Sequence, residues 1–222
     1  MEKIKSTFPN ILLSLTTICL VAGVALSATN KYTANAIAVT KAAELQNAIR
    51  NVTPEFDNNP VEERYKSAIS DHDSVTLYPA KKEGVIVGYA VESYTKNGFS
   101  GLIRVMVGFD NQGKLNNYSV LEHNETPGLG SKMEKWFRDT KNRQSIIGRD
   151  MTKGVLKNTK DGGDIDAITA ATISTRAFLE AINNAWHAIS KNTDAMTGAS
   201  STDWESNTNN EWVIIEGNKN SN

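Results

Sequence analysis

Hydroxyl side chains are concentrated in a ten-residue segment that leads into a helical pattern. Residues 166–175 read Asp-Ala-Ile-Thr-Ala-Ala-Thr-Ile-Ser-Thr. The first N–H groups of a helix have no intrahelical acceptor, and the helix dipole favours negative charge there. The segment therefore suits a loop that brings a phosphate group to a helix N-terminus. Thr172 would offer a hydroxyl there, and the small Ala170 and Ala171 would leave room. The alternative is that these hydroxyls only cap the helix and form turns.

The segment is followed by the pattern of an amphipathic helix. Apolar residues recur at three- and four-residue steps, as on one face of a helix, at Phe178, Ile182, Ala185, Trp186 and Ile189. Either Ser174 or Thr175 is predicted to be the N-cap. Arg176 and Glu180 stand four residues apart and are predicted to pair on the exposed side.

A second distinctive segment, residues 123–132, reads His-Asn-Glu-Thr-Pro-Gly-Leu-Gly-Ser-Lys. Its proline and two glycines restrict the backbone, and a helix is predicted to start near Ser131. Gly-Leu-Gly is not a dinucleotide-binding fingerprint, because the third glycine is missing. The alternative is a strand-to-helix turn with a serine cap. His123 is expected to be a hydrogen-bonded structural residue rather than a metal ligand.

Both segments resemble motifs of the FMN-binding domain family. Asp-x-x-Thr-Ala-Ala-Thr at residues 166–172 is similar to the family's flavin-attachment motif, Asp-x-x-(Ser/Thr)-Gly-Ala-Thr. Glu-Thr-Pro-Gly-Leu-Gly at residues 125–130 is similar to a second motif of that family, and the two occur in the family's order. The sequence departs from the family at Ala170, where the family usually has glycine, which adopts positive φ more readily.

The resemblance implies that FMN is covalently bound, as a phosphoester, to Thr172. It implies no catalytic residue and no metal site, because Thr172 would react only once, when a separate flavin transferase moves FMN from FAD onto it. Leu129 would cover an apolar face of the isoalloxazine ring. The cofactor-binding residues implied by the resemblance are Asp166, Thr169, Ala170, Ala171 and Thr175 near the attachment point, and Glu125, Thr126, Gly128, Leu129 and Gly130 beside the ring.

The family includes the G component of the Rnf electron transport complex and the C component of the sodium-translocating NADH:quinone reductase. The resemblance implies a membrane-anchored flavoprotein subunit of an Rnf-type ion-translocating complex, which relays electrons through FMN and is not a complete enzyme alone. Its partners would be the other subunits and the flavin transferase. Two alternatives remain: a stand-alone anchored FMN-binding reductase component, and an extracytoplasmic interaction domain without flavin.

A near-repeat of the attachment motif occurs at residues 194–200, which read Asp-Ala-Met-Thr-Gly-Ala-Ser. It matches the family pattern except at the final acceptor, which is serine. Thr172 is preferred because an amphipathic helix follows it, whereas none follows residue 200.

The composition excludes several classes of function. The 222 residues carry a formal net charge of −1 and no basic run, so no nucleic-acid partner is expected. The single cysteine, Cys19, excludes an intrachain disulfide, a cysteine-based zinc site and an Fe–S cluster. Any redox chemistry must therefore come from an organic cofactor or a partner.

The N-terminal residues are typical of a membrane anchor. Residues 6–30 contain no charged side chain, and residues 11–28 are mostly aliphatic. About 20 such residues cross a bilayer, and Lys3 and Lys5 before them predict a cytoplasmic N-terminus. We expect one span in the inner membrane, with the remaining domain on the periplasmic side. A cleaved signal peptide is the alternative, but the apolar run is longer than a typical signal-peptide core.

The remaining patterns predict an α+β fold, in which a transmembrane helix precedes an antiparallel-sheet FMN-binding domain with packed helices. Strands are predicted at residues 75–78, 85–91, 102–109 and 114–122, with a turn at residues 110–113. A helix is predicted at residues 34–52, a short helix at 61–69 and a strand at 151–157. The predicted domains are an anchor (1–30), a linker (31–73), the FMN-binding domain (74–191) and a polar, disordered tail (192–222).

Overall fold

The structure, a computed structural model, describes residues 8–69, 73–197, 203–206 and 212–215. The chain separates into two compact units, residues 1–46 and residues 47–222. The first unit holds most of one long helix, and the second holds an antiparallel sheet with helices packed on it. The predicted α+β class is therefore confirmed. The predicted domain boundaries after residues 30, 73 and 191 stay predictions.

The long N-terminal helix, α1 (Phe8–Val52), joins the predicted apolar span and the predicted linker helix without a break. Its segment Phe8–Ala34 is long and apolar enough to cross a membrane, with a mean hydropathy of 2.3. No proline occurs between Pro9 and Pro54, so nothing in this range removes a helical N–H donor. The helix ends two residues before Pro54, as the sequence predicts.

The sheet of the second unit has five strands in chain order, and every neighbouring pair is antiparallel. The strands are β1 (Tyr65–Ala68), β2 (Ser74–Lys82), β3 (Val85–Gly98), β4 (Gly101–Asp110) and β5 (Leu115–His123). The four predicted strands correspond to β2–β5. The turn at residues 110–113 is also confirmed, because the N–H of Gly113 bonds to the carbonyl of Asp110.

The prediction of a helix at residues 61–69 is wrong, because part of this range forms edge strand β1. Tyr65 pairs with Leu77, and Ala68 pairs with Ser74 of β2. The Ser67 hydroxyl is buried and donates to the Ala188 carbonyl, 121 residues away. Pairing with a neighbouring strand overrides the weak local preference of this short segment.

One helix, α3 (Thr172–Thr197), packs over β3 and β4 and closes the core. The predicted apolar face is confirmed, since Phe178, Ile182 and Ala185 are fully buried. Phe178 stacks on Phe137 with 4.7 Å between ring centroids. Truncating such a buried aromatic side chain to alanine typically costs about 3–5 kcal/mol.

Two asparagines of β5 cap the C-terminus of α1 within the second unit. Asn116 donates to the Val52 carbonyl at 2.8 Å, and Asn117 donates to the Asn51 carbonyl at 2.9 Å. These bonds satisfy carbonyls that have no intrahelical donor. A Cβ on Gly108 would lie 1.8 Å from the Val52 oxygen, so only glycine permits this close approach.

Short helical turns, rather than strands, form the segment between β5 and α3. The predicted helix near Ser131 is confirmed as a 3₁₀ turn (Gly130–Lys132) followed by α2 (Met133–Trp136). The predicted strand at residues 151–157 is wrong, because Met151–Lys153 is a 3₁₀ turn. The Asp150 side chain accepts from the N–H of Thr152 and so favours this turn over an extended backbone.

The described residues beyond α3 form two short antiparallel strands, β6 (Asp203–Ser206) and β7 (Trp212–Ile215). The other residues of the predicted tail lie outside the described residues. These include residues 198–200, the second half of the near-repeat of the attachment motif.

Candidate cofactor-binding site

Three segments that are distant in sequence meet around a cleft of about 340 Å³. They are the turn between β3 and β4, the loop after β5, and the N-terminus of α3. This volume is near the lower end of the range for ligand pockets, so a ligand larger than the cleft would remain partly exposed. The cleft is lined by Phe99, Glu125, Thr126, Leu129, Gly130, Ala170, Ala171, Thr172, Ile173 and Ser174.

The buried carboxylate of Glu125 holds these three segments together. Its Oε2 accepts a 2.6 Å hydrogen bond from the hydroxyl of Ser174 in α3. Its Oε1 accepts a 3.1 Å bond from the N–H of Ser100 in the β3–β4 turn. Glu125 is only 4% exposed, so both bonds offset the cost of burying its polar group.

Gly130 provides the space that this carboxylate occupies. A Cβ at Gly130 would lie 2.6 Å from both Glu125 Oε2 and Ser174 Oγ. Any side chain there would displace one member of the pair. The second glycine of the Gly-Leu-Gly segment therefore has a packing role that is independent of any ligand.

The N-terminus of α3 is built from a turn that precedes Thr172. The N–H of Ala171 bonds to the carbonyl of Ile168, and the N–H of Thr175 bonds to the carbonyl of Ala171. The Thr175 hydroxyl accepts from the N–H of Ile168 at 3.0 Å. The predicted N-cap at Ser174 or Thr175 is wrong, because the helix begins at Thr172 and both residues lie in its first turn.

Ala170 adopts a left-handed backbone conformation, with φ at 62°. This conformation brings Cβ close to the following carbonyl and costs an L-residue about 1–2 kcal/mol relative to the right-handed region. Glycine has no such cost. The departure from the family motif therefore falls at a position where the backbone favours glycine, and alanine adopts the conformation nevertheless.

Thr172 is the first residue of α3, and its side chain is partly exposed at the edge of the cleft. Its hydroxyl oxygen accepts a 2.9 Å hydrogen bond from the ammonium of Lys160. The first N–H groups of α3 have no intrahelical acceptor, as in any helix. The Thr172 hydroxyl thus lies where a helix dipole and a side-chain cation both favour an anion.

The segment that carries Lys160 is held on α3 by an ion pair. Arg176 donates through Nε and Nη2 to both carboxylate oxygens of Asp161, at 2.8 and 2.6 Å. These bonds lower the pKa of Asp161 below its ordinary value of 3.8. The predicted pair between Arg176 and Glu180 is therefore wrong, and Glu180 instead accepts hydrogen bonds from the Asn97 side chain.

Asp166 lies at the base of the attachment loop and is not in the cleft lining. Its carboxylate accepts from the backbone N–H of Arg143 and lies 3.5 Å from the Arg143 guanidinium. Its own backbone bonds to the Arg143 carbonyl and to the Trp136 indole N–H. Asp166 therefore stiffens the loop against the preceding segment.

Exposed apolar side chains are concentrated at the cleft. Within the described part of the second unit, six large apolar residues are exposed, and three of them line the cleft. These three are Phe99, Leu129 and Ile173, which are 65%, 39% and 50% exposed. An exposed apolar cluster of this kind marks a ligand or partner site.

The structure brings some of the implied site residues together and separates others. Thr126, Leu129 and Gly130 of the second motif share the cleft with Ala170, Ala171 and Thr172 of the first. The lining does not include four other implied residues, namely Asp166, Thr169, Thr175 and Gly128. The sequence analysis did not identify Phe99, Ile173 or Ser174 as site residues. The only signal for Phe99 was its position in the turn Gly98-Phe99-Ser100-Gly101, between two predicted strands.

The described residues contain no group of three His, Cys, Asp or Glu side chains that could hold a metal ion. The ring of His123 accepts from the N–H of Glu125 at Nδ1 and lies 3.2 Å from Glu134 at Nε2. The expectation that His123 is hydrogen-bonded is confirmed.

The site falls within a region that is similar to a known family. Residues 98–187 match the FMN-binding domain family. This range starts at the β3–β4 turn and ends inside α3, so it contains every residue that lines the cleft.

Curated relatives, all G components of an ion-translocating oxidoreductase complex, extend the similarity beyond this domain. The relative from Yersinia pestis is 36% identical over 164 residues, which cover 70% of this chain and 78% of the relative. The relative from Vibrio parahaemolyticus is 38% identical and covers 54% and 58% of the two chains. That of Haemophilus influenzae strain PittEE is 38% identical and covers 62% and 69%.

Proposed function

The chain belongs to the family of G components of ion-translocating oxidoreductase complexes, and from this we propose that it relays electrons through FMN bound covalently to Thr172. The observation that carries the proposal is the position of the Thr172 hydroxyl. It lies at the N-terminus of α3, on the edge of an apolar cleft, within hydrogen-bonding distance of a lysine.

The chemical character of the cleft supports a flavin with a phosphate at one end. Phe99, Leu129 and Ile173 supply exposed apolar surface for a planar ring, and the N-terminus of α3 attracts an anion. Bound FMN would supply the electron-transfer chemistry, while these residues orient it and keep water from one side of the ring.

The attachment itself balances as a transfer of a phosphoryl group. The Thr172 hydroxyl attacks the flavin-side phosphorus of FAD, an ester bond forms at Oγ1, the pyrophosphate bond breaks, and AMP leaves. The hydroxyl proton passes to a base. An unactivated threonine is a weak nucleophile, so the base and the metal belong to a separate flavin transferase.

The same proposal includes the cellular setting. The Phe8–Ala34 segment anchors the chain in the inner membrane, with its N-terminus in the cytoplasm and the FMN domain on the periplasmic side. Residues 6–30 contain no charged side chain, so the ion path belongs to the other subunits of the complex. A covalent bond prevents loss of the flavin by dilution outside the cytoplasm.

Mass spectrometry of natively matured protein tests the attachment. The peptide containing residues 168–176 should be heavier by the mass of FMN minus water, and flavin fluorescence should survive denaturing electrophoresis. Both signals should disappear in Thr172→Ala and persist in Thr169→Ala, which removes an exposed threonine from the same loop.

The alternatives differ in the outcome that they predict. Unmodified protein from cells that supply the transferase would contradict the proposal and favour an interaction domain without flavin. Modified protein that does not co-purify with other subunits from its native membrane would favour a stand-alone FMN-binding reductase component.

A further inference from the structure

We propose that Lys160 is the cation that binds the phosphate group carried by Thr172. This inference rests on the proposed function, because it concerns the group that the proposal attaches to Thr172. The Lys160 ammonium already donates to Thr172 Oγ1 at 2.9 Å. In the phosphoester this same oxygen is bonded to phosphorus, so the ammonium and the anionic phosphate are necessarily neighbours.

Lys160 has no competing anion among the described residues. None of its ion-pair distances to a described carboxylate falls within 4.0 Å. The nearest acid in sequence, Asp161, has both carboxylate oxygens occupied by Arg176. Lys160 therefore keeps its positive charge available for an anion at Thr172.

The backbone around Lys160 is held independently of its side chain. The buried Asn158 accepts from the N–H of Lys160 at 2.9 Å and starts the 3₁₀ turn Thr159–Asp161. The N–H of Gly163 bonds to the Asn158 carbonyl, and Asp161 is paired with Arg176 of α3. Lys160 thus reaches Thr172 from a segment that is fixed on α3 one turn beyond Thr172.

This arrangement has consequences before and after attachment. Before attachment, the ammonium occupies a lone pair of the Thr172 oxygen and leaves the hydroxyl proton free for removal. It also attracts the anionic pyrophosphate of FAD to the acceptor. After attachment, Lys160 pairs with the single negative charge of the phosphodiester, through a charge-assisted hydrogen bond.

Two measurements on the full-length chain, produced together with a flavin transferase, test the role of Lys160. In Lys160→Met, the initial rate of flavin attachment should fall about fivefold, near the upper limit for an exposed ion pair. The ³¹P resonance of the attached phosphodiester should also shift, because its cationic partner is lost. Lys160→Arg should restore both values in large part, since arginine keeps the charge.

Lys153→Met is the matched control, because Lys153 is also exposed and pairs only with Asp150 among the described residues. It should change neither measurement. An unchanged attachment rate and an unchanged ³¹P resonance in Lys160→Met would overturn the inference. Wild-type protein without any flavin on Thr172 would instead overturn the proposed function. A purely structural role for Lys160 would lower the melting temperature without moving the ³¹P resonance, and it would also count against the inference.

Discussion

The carboxylate of Glu125 and the hydroxyl of Ser174 form a 2.6 Å hydrogen bond between two segments that are 49 residues apart in sequence. Glu125 lies in the loop after β5, and Ser174 lies in the first turn of α3. Their bond sets the distance between the two walls of the cleft. The same carboxylate accepts from Ser100, so the third wall is set by the same side chain.

Removing the Ser174 hydroxyl should destabilise the domain measurably. In Ser174→Ala, one oxygen of a buried carboxylate loses its donor, and the cost of an unsatisfied buried acceptor is about 1–3 kcal/mol. Urea denaturation of the full-length protein in detergent, followed by tryptophan fluorescence, measures this loss. Thr169→Ala removes an exposed hydroxyl and serves as the control. A loss in Ser174→Ala no greater than in the control would contradict the role of the bond.

A charge at Leu129 should change the redox potential of the bound flavin. Leu129→Asp places a carboxylate in the cleft, which opposes the addition of electrons to a nearby ring and makes the midpoint potential more negative. The flavin should remain attached, because the ester at Thr172 does not require Leu129. Potentiometric titration monitored by absorbance measures the change.

The matched control for this variant is Leu102→Asp. Leu102 is 36% exposed and Leu129 is 39% exposed, but only Leu129 lines the cleft. Leu102→Asp should leave the potential unchanged, and the effect of Leu129→Asp should weaken with added salt. Flavin-loaded Leu129→Asp with the wild-type potential would contradict the placement of the ring beside Leu129.

Glycine should be tolerated better at Ala170 than at a neighbouring alanine. Ala170 has φ at 62°, so Ala170→Gly relieves about 1–2 kcal/mol of backbone strain, against about 0.4–1 kcal/mol from the greater entropy of the unfolded chain. The free energy of unfolding should stay constant or rise by up to about 1 kcal/mol. Ala167→Gly should lower it, because φ at Ala167 is not positive. Equal losses in both variants would refute the left-handed conformation at Ala170.

The pair between Asp161 and Arg176 should make stability depend on pH in the acid range. Arg176 lowers the folded-state pKa of Asp161 below 3.8, so the contribution is present above that pH. It is lost as the pH falls from 3.8 through the folded-state pKa. Asp161→Asn should therefore cost stability at pH 7, by less than about 1 kcal/mol because the pair is partly exposed, and should match wild type near pH 2.

Unfolding titrations of both proteins between about pH 7 and pH 2 measure this difference. Asp164→Asn is the control for a more exposed ion pair, since Asp164 pairs with Arg149 at 2.7 Å and its side chain is 65% exposed. A stability difference between wild type and Asp161→Asn that grows as the pH falls would have the wrong sign and would contradict the assignment.

The sequence alone was sufficient for the elements whose pattern is long and regular. The apolar run of α1, the alternating strands β2–β5 and the apolar face of α3 each extend over at least eight residues. In such elements local periodicity and tertiary burial favour the same conformation. The two segments that build the cleft were also identified from the sequence, because their types and spacing resemble a family motif.

Short and irregular segments were decided by the tertiary structure. Residues 65–68 form a strand only because β2 pairs with them, and residues 151–153 form a turn because Asp150 caps it. Local propensity is weak over so few residues, so one long-range contact is enough to reverse it.

The partners of charged and polar side chains also depended on the tertiary structure. Arg176 pairs with Asp161 instead of Glu180, Lys160 contacts Thr172, and Glu125 contacts Ser174. A sequence pattern specifies which residues share a helix face or a strand face, but not which distant segment will cover that face. The motifs therefore determined which residues could form the site, and the packing of the β3–β4 turn and the loop after β5 against α3 determined which of them actually meet.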